Sequence, residues 1–90
     1  MHILKWIPPR ATLIVEFGCG DGGFGEKFKQ IHPQCKYIGV ETDVKTAMLA
    51  ATKLDQVLVE DISQINLLKN GIFLNAIDCL IYRGIDDWGN

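Results

Sequence analysis

The 90-residue chain has no apolar run that nears the roughly 20 residues needed to cross a bilayer, so a membrane span is excluded. It has no Cys-x-x-Cys pair and no Cys/His cluster, which excludes a zinc ribbon or finger. Its three cysteines, Cys19, Cys35 and Cys79, are odd in number and widely spaced. That is the pattern of reduced thiols rather than of a disulfide framework, and it fits a cytoplasmic setting. Nine Lys and Arg are scattered through a chain of net charge −2, so no basic surface is available to wrap a nucleic acid. There is no repeat, no low-complexity tract and no linker. Met1-His2-Ile3-Leu4-Lys5 runs into Trp6 and a proline pair, without the pattern of a secretory leader. The reading is a single domain over residues 1–90, with a thin core because a chain this short buries only about 60–65% of its unfolded surface.

What is present alternates. Residues 12–17 (TLIVEF) form a short β-branched apolar run, as a buried parallel strand does. They end in Gly18-Cys19-Gly20-Asp21-Gly22-Gly23, a glycine-rich turn. Phe24, Phe28 and Ile31 then recur on one face of a helix closed by Pro33. Residues 36–41 are a second strand. Asp43 caps a second helix whose expected stripe is Val44, Ala47, Met48, Ala51 and Leu54. Residues 56–60 are a third strand. Ser63 opens a short helix to residue 69, with Gly71 as its C′ residue. Residues 77–82 are a fourth strand, and 83–90 a loop.

Strands alternating with helices imply βαβ units and a parallel sheet. The fold class is α/β, a Rossmann-like three-layer sandwich. Its sheet has about four strands in the order 3-2-1-4, with helices on both faces and the switch point between strands 1 and 4. Ligands in such folds lie beyond the carboxyl ends of the strands. Here those ends are residues 16–22, 41–43, 60–62 and 82–84.

Glycines alone do not choose between a dinucleotide and another nucleoside-bearing cofactor. Charge does. Glu16 precedes Gly18 by two residues, Asp21 lies inside the turn, Glu41 ends the second strand and Asp61 follows the third. Four carboxylates thus converge on one end of the sheet, and no Lys or Arg lies in the turn. Two like charges 4 Å apart cost about 4 kcal/mol at an effective dielectric of 20. A pyrophosphate is repelled there. A ligand carrying a sulfonium and an ammonium is favoured.

Glu16-Phe17-Gly18-Cys19-Gly20-Asp21-Gly22 resembles motif I of the class I S-adenosylmethionine-dependent methyltransferases, E/D-x-G-x-G-x-G. Tyr37-Ile38-Gly39-Val40-Glu41 resembles the second motif, a strand ending in an acid. Val57-Leu58-Val59-Glu60-Asp61-Ile62 resembles the third, and Ile77-Asp78-Cys79-Leu80-Ile81-Tyr82 the fourth strand. The resemblance implies S-adenosyl-L-methionine as cofactor and gives each residue a role. Gly18, Gly20, Gly22 and the Cys19 backbone would pass beneath the methionine moiety. Glu16 would orient its ammonium, directly or through water. Glu41 would accept from both ribose hydroxyls, as a bidentate acceptor suits a cis-diol. Thr42 would lie beside the adenine, Asp61 would accept from its amino group and Ile62 would pack on the ring. Tyr82 would face the methyl-transfer cavity.

The departures are specific. Full members carry further strands that close the substrate pocket, whereas this sequence is read as the N-terminal, cofactor-binding half. The fourth strand ends Tyr82-Arg83-Gly84-Ile85, with no Asn-Pro-Pro-Tyr-like tetrad, and no catalytic residue or methyl acceptor is assigned. Asp21 is read as a turn residue, His2 and His32 as surface residues, and Cys19 as unactivated because no His is placed beside it. No metal site is expected. Strand 4 is an apolar edge, which predicts self-association or pairing with a missing C-terminal half. Two other functions compete: a non-catalytic methyltransferase-like interaction domain, and an NAD- or FAD-binding module.

Overall fold

Ile14 and Glu16 point to one side of the first strand and Val15 and Phe17 to the other, because side chains alternate along a strand. Both sets are buried, so this strand is the centre of the molecule. The computed structural model describes residues 11–61, 63–72 and 77–82. In chain order its elements are β1 (Leu13–Phe17), α1 (Gly23–Ile31), β2 (Lys36–Val40), α2 (Val44–Ala51), β3 (Gln56–Leu58), a single 3-10 turn (Leu68–Asn70) and β4 (Cys79–Tyr82). The sheet is parallel throughout, in the order β3-β2-β1-β4. That is the order the alternation of the sequence predicts.

The two faces carry separate cores. On one, Ile14, Tyr37 and Ile81 pack with Phe28 of α1 and with Ala50 and Leu54 of the α2 region. On the other, Val15, Phe17, Ile38, Val40 and Leu58 are covered by Leu67 and Ile72 from the connection between β3 and β4. Both helices therefore lie on one side and the last crossover on the other, the arrangement right-handed connections give when strand order reverses at β1.

Five expectations need correction. The connection after β3 was expected to form an α-helix over 63–69, but among its described residues there is only the 3-10 turn. Asn66 caps a single turn here, and the Asn70 side chain takes the carbonyl a longer helix would use. Asn66 Oδ1 accepts from Lys69 N at 3.0 Å, and Asn70 Nδ2 donates to the Asn66 carbonyl at 2.9 Å. That carbonyl is the one an α-helix would offer to the Asn70 amide, which bonds to Leu67 O instead. Gly71 does take the left-handed conformation expected of it, with φ of 80°.

In α2 the buried residues are Ala47 and Ala50, followed by Leu54 beyond the helix. Val44 and Met48 of the expected stripe are 58% and 66% exposed. The helix turns its small residues inward because it lies close to the glycine loop: a Cβ on Gly22 would stand 3.0 Å from Ala50 Cα. In α1, Phe28 is buried and Phe24 partly so, but Ile31 is exposed at the last residue of the helix, past the edge of the core. β3 stops at Leu58 and β4 begins at Cys79, and the Asp78 side chain ties the starts of β1 and β4 together. Its Oδ2 accepts from Thr12 N, Thr12 Oγ1 and Leu13 N at 2.7, 2.8 and 3.0 Å, which pins the start of β1 to that of β4.

Candidate functional site

The loop after β1 is held by its neighbour strand. Gly18 N and Cys19 N both donate to Val40 O, at 2.8 and 3.1 Å, which folds the chain back over the end of β2. Gly18, Gly20 and Gly22 have φ of 75°, 60° and 87°, a region that glycine enters without the steric cost a Cβ brings. Gly22 N closes onto Cys19 O at 3.1 Å, and Gly22 is the N-cap of α1.

The carboxylates predicted to converge sit around this loop in distinct ways. Glu41 Oε1 accepts from Gly20 N and Oε2 from Asp43 N, each at 3.0 Å. Its head is thus fixed between the loop and the start of α2, and an ionised carboxylate retains acceptor capacity beyond two bonds. Asp21 Oδ1 accepts from Gly23 N at 2.9 Å and its Oδ2 lies 3.8 Å from Lys53 Nζ, so it closes the turn from the exposed side. Glu16 is fully buried under the loop, where its Oε1 accepts from Tyr37 Oη at 2.8 Å. Cys19 registers the combined field. Burial first, then Glu16, Glu41 and Asp21, push its thiol up to about 12. It is a neutral thiol at physiological pH, not a nucleophile.

Asp61, beyond the end of β3, is bonded to its own turn. Its Oδ1 accepts from Ser63 Oγ and Ser63 N at 2.7 and 2.8 Å, and these bonds hold its carboxyl below the usual range. Thr42 is exposed between Glu41 and Asp43. Tyr82 is 55% exposed and stacks on Phe17, with ring centroids 4.9 Å apart, at the ends of β1 and β4. Ile62 and residues 83–90 lie outside the described residues. Among the described residues no group of His, Cys, Asp and Glu could hold a metal ion, and no helix is long and apolar enough to cross a membrane.

One residue of the site escaped the sequence reading. Tyr37 reads as an apolar position of β2, yet its hydroxyl is the partner of Glu16. The signal was present: Tyr37 and Gly39 share a face of β2, and Gly39 pairs with Glu16. A long aromatic side chain two residues away can reach diagonally to the residue opposite Gly39.

No family model matches the sequence, and no curated protein matches it. Solved structures do. The plantazolicin methyltransferase BpumL in complex with SAH aligns with a TM-score of 0.57 and 19% identity, over 62% of this chain and 23% of that one. Its complexes with SAH and a pentazolic or a monoazolic desmethylPZN analog give TM-scores of 0.57 and 0.56, at 20% and 22% identity, with the same coverage. This chain therefore spans about a quarter of the length of those relatives. Over the part they share, it has the α/β fold of the class I S-adenosylmethionine-dependent methyltransferases.

Proposed function

We propose that the chain is the S-adenosylmethionine-binding portion of a methyltransferase, acting in a reducing, cytoplasmic setting. The observation that carries this reading is the state of the glycine loop. A dinucleotide module offers backbone amides of this turn to a pyrophosphate. Here the amides of Gly18, Cys19, Gly20, Gly22 and Gly23 are already bonded to Val40 O, Glu41, Cys19 O and Asp21. Three carboxylates act on the same loop. A cationic ligand suits these surroundings and a pyrophosphate does not. That the aligned structures of BpumL hold SAH supports the same conclusion.

In this reading Gly18, Gly20, Gly22 and the Cys19 backbone form the floor beneath the methionine moiety. Glu41, already oriented by two amides, accepts from the ribose diol. Thr42 and Asp61 lie beside the adenine, and Tyr82 faces the acceptor. When bound, the cofactor supplies an activated sulfonium methyl. The protein's contribution is to align acceptor and methyl, and such alignment is worth about 7–11 kcal/mol of barrier in well-oriented systems. The acceptor site needs more chain than these four strands, through self-association or a C-terminal half along β4.

Calorimetric titration with S-adenosylhomocysteine, and with NAD in parallel, tests the reading on the chain and on Glu41→Ala. The expected result is binding of the first ligand only. Glu41→Ala should weaken it roughly 10–100-fold, the equivalent of about 1.5–3 kcal/mol from hydrogen bonds to a charged group. Selective binding of NAD would overturn the reading. Binding of neither by a folded chain would leave a non-catalytic interaction domain as the better account.

A further inference from the structure

Glu16 is the one fully buried carboxylate among the described residues, and the structure surrounds its partner with unusual care. Tyr37 is fully buried too. Its ring lies directly under the first turn of α1: a Cβ on Gly25 would stand 2.6 Å from Tyr37 Cε1 and 2.8 Å from Cδ1. That hypothetical Cβ would also stand 2.5 Å from Leu54 Cδ2, so Gly25 is the close-approach point of helix, ring and leucine. Phe28 flanks the ring at 6.1 Å between centroids. Packing on these sides fixes the ring, and so fixes where its hydroxyl points. It points at Glu16 Oε1, 2.8 Å away.

The loop is equally constrained over the same spot. Gly39, the β2 partner of Glu16, leaves the space that Cys19 fills; a Cβ there would stand 2.6 Å from Cys19 Sγ. Cys19 therefore rests over the Glu16 row of the sheet, and the charge of Glu16 is felt at its thiol, second only to burial. A buried carboxylate acts on a ligand through a thin layer of low dielectric, where Coulomb forces are stronger than in water. Its effect then depends on where the carboxylate is held.

We propose that Tyr37 is a positioning residue for the cofactor site: its packed ring and hydroxyl hold the buried Glu16 carboxylate beneath the Gly18–Gly20 turn, and so set the preference for a ligand bearing an ammonium group above that turn. The proposal rests on the S-adenosylmethionine reading given above, and concerns recognition of the amino-acid end of the ligand, not of its nucleoside.

The test compares two ligands that share the adenosine thioether. S-adenosylhomocysteine carries the ammonium; 5′-methylthioadenosine lacks the whole amino-acid group. Tyr37→Phe removes one oxygen and keeps the ring. It is expected to weaken S-adenosylhomocysteine about tenfold, as loss of a hydrogen bond to a charged group does, and to leave 5′-methylthioadenosine unchanged. Glu16→Gln, which keeps an acceptor for the tyrosine but no charge, should lower the same ratio. Adding Tyr37→Phe to Glu16→Gln should cost nothing more, because the tyrosine acts through the glutamate. Equal weakening of both ligands would mean a merely structural tyrosine and would overturn the proposal, as would an unchanged ratio. Should Tyr37→Phe not fold, the ratio in Glu16→Gln decides, and no change there overturns the proposal. Failure of the folded wild-type chain to bind S-adenosylhomocysteine would instead remove the cofactor reading, and this proposal with it.

Discussion

Carboxylates at this molecule's turns work as hydrogen-bond acceptors for its own backbone. Asp43 caps α2, with Thr46 Oγ1 and then Thr46 N holding its carboxyl below the usual range. Asp61 is lowered by Ser63, and Asp78 by the Thr12 amide first and then its hydroxyl and the Leu13 amide. All three are lowered from an ordinary value of 3.8, so each favours the folded state above that pH and loses its contribution progressively as pH falls below it, down through the lowered folded value. The thermal midpoint is therefore expected to hold steady from neutral to about pH 5 and to fall below about pH 4. Asp78→Ala should lower the neutral midpoint and flatten that acid limb, since it removes the bonds that join β1 to β4. Scanning calorimetry across pH on both chains measures this, and an unchanged acid limb in the variant would count against the Asp78 clamp. Cysteine chemistry gives a second check at this scale. Cys19 is buried and its thiol pushed up to about 12, whereas Cys79 is only partly buried. Alkylation at mildly alkaline pH, followed by mass spectrometry, should mark Cys79 first and Cys19 last.

Elements are positioned here by what glycines leave out. Gly25 lets α1 settle onto Tyr37 and Leu54, so Gly25→Ala forces atoms to 2.5–2.6 Å and must push the helix from the sheet. Overpacking of that kind costs about 1–3 kcal/mol, which urea unfolding would show as a lower midpoint. This contact also marks where sequence reading succeeds and fails. Strands β1 and β2, the glycine turn, the Asp43 cap and the strand order were legible because each is a local pattern or follows from connection rules. The acids of the loop were legible because strand ends fix their position. The rotation of α2 was only half legible: Ala47 and Leu54 of the expected stripe are buried, but Val44 and Met48 are exposed and Ala50 faces in instead, because the helix lies against Gly22. The pairing of Tyr37 with Glu16 was not legible, since it spans two strands and needs the register. The connection after β3 misled because Ser63 and Gly71 read as the ends of a helix, whereas Ser63 bonds to Asp61 and the Asn70 side chain takes the Asn66 carbonyl.

At the scale of the whole molecule, the two outer strands of the described sheet differ. β3 is an outer strand of three residues, short enough to be a poor template for pairing. β4, the other outer strand, is different. The connection bearing Leu67 and Ile72 covers Val15, Phe17, Ile38 and Val40, but Leu80 and Tyr82, which lie beside Val15 and Phe17 in register, remain 45% and 55% exposed. Their neighbours Cys79 and Ile81 face the opposite core, so β4 is apolar on both sides and borders an edge. The solved methyltransferases it resembles are about four times longer than the matched segment. This face is where the proposed self-association, or pairing with a C-terminal half, would form. If a second copy supplies it, sedimentation velocity should show mass rising with concentration, and Leu80→Lys should hold the chain monomeric, because a charge facing an apolar contact opposes pairing at an edge. The substitution leaves Ile81 and the Glu16 side of the sheet in place, so S-adenosylhomocysteine affinity should persist in the monomer if the cofactor site lies within one chain. A wild-type chain that stays monomeric at every concentration would overturn self-association. A monomeric Leu80→Lys chain that loses the ligand would show instead that the second copy completes the site.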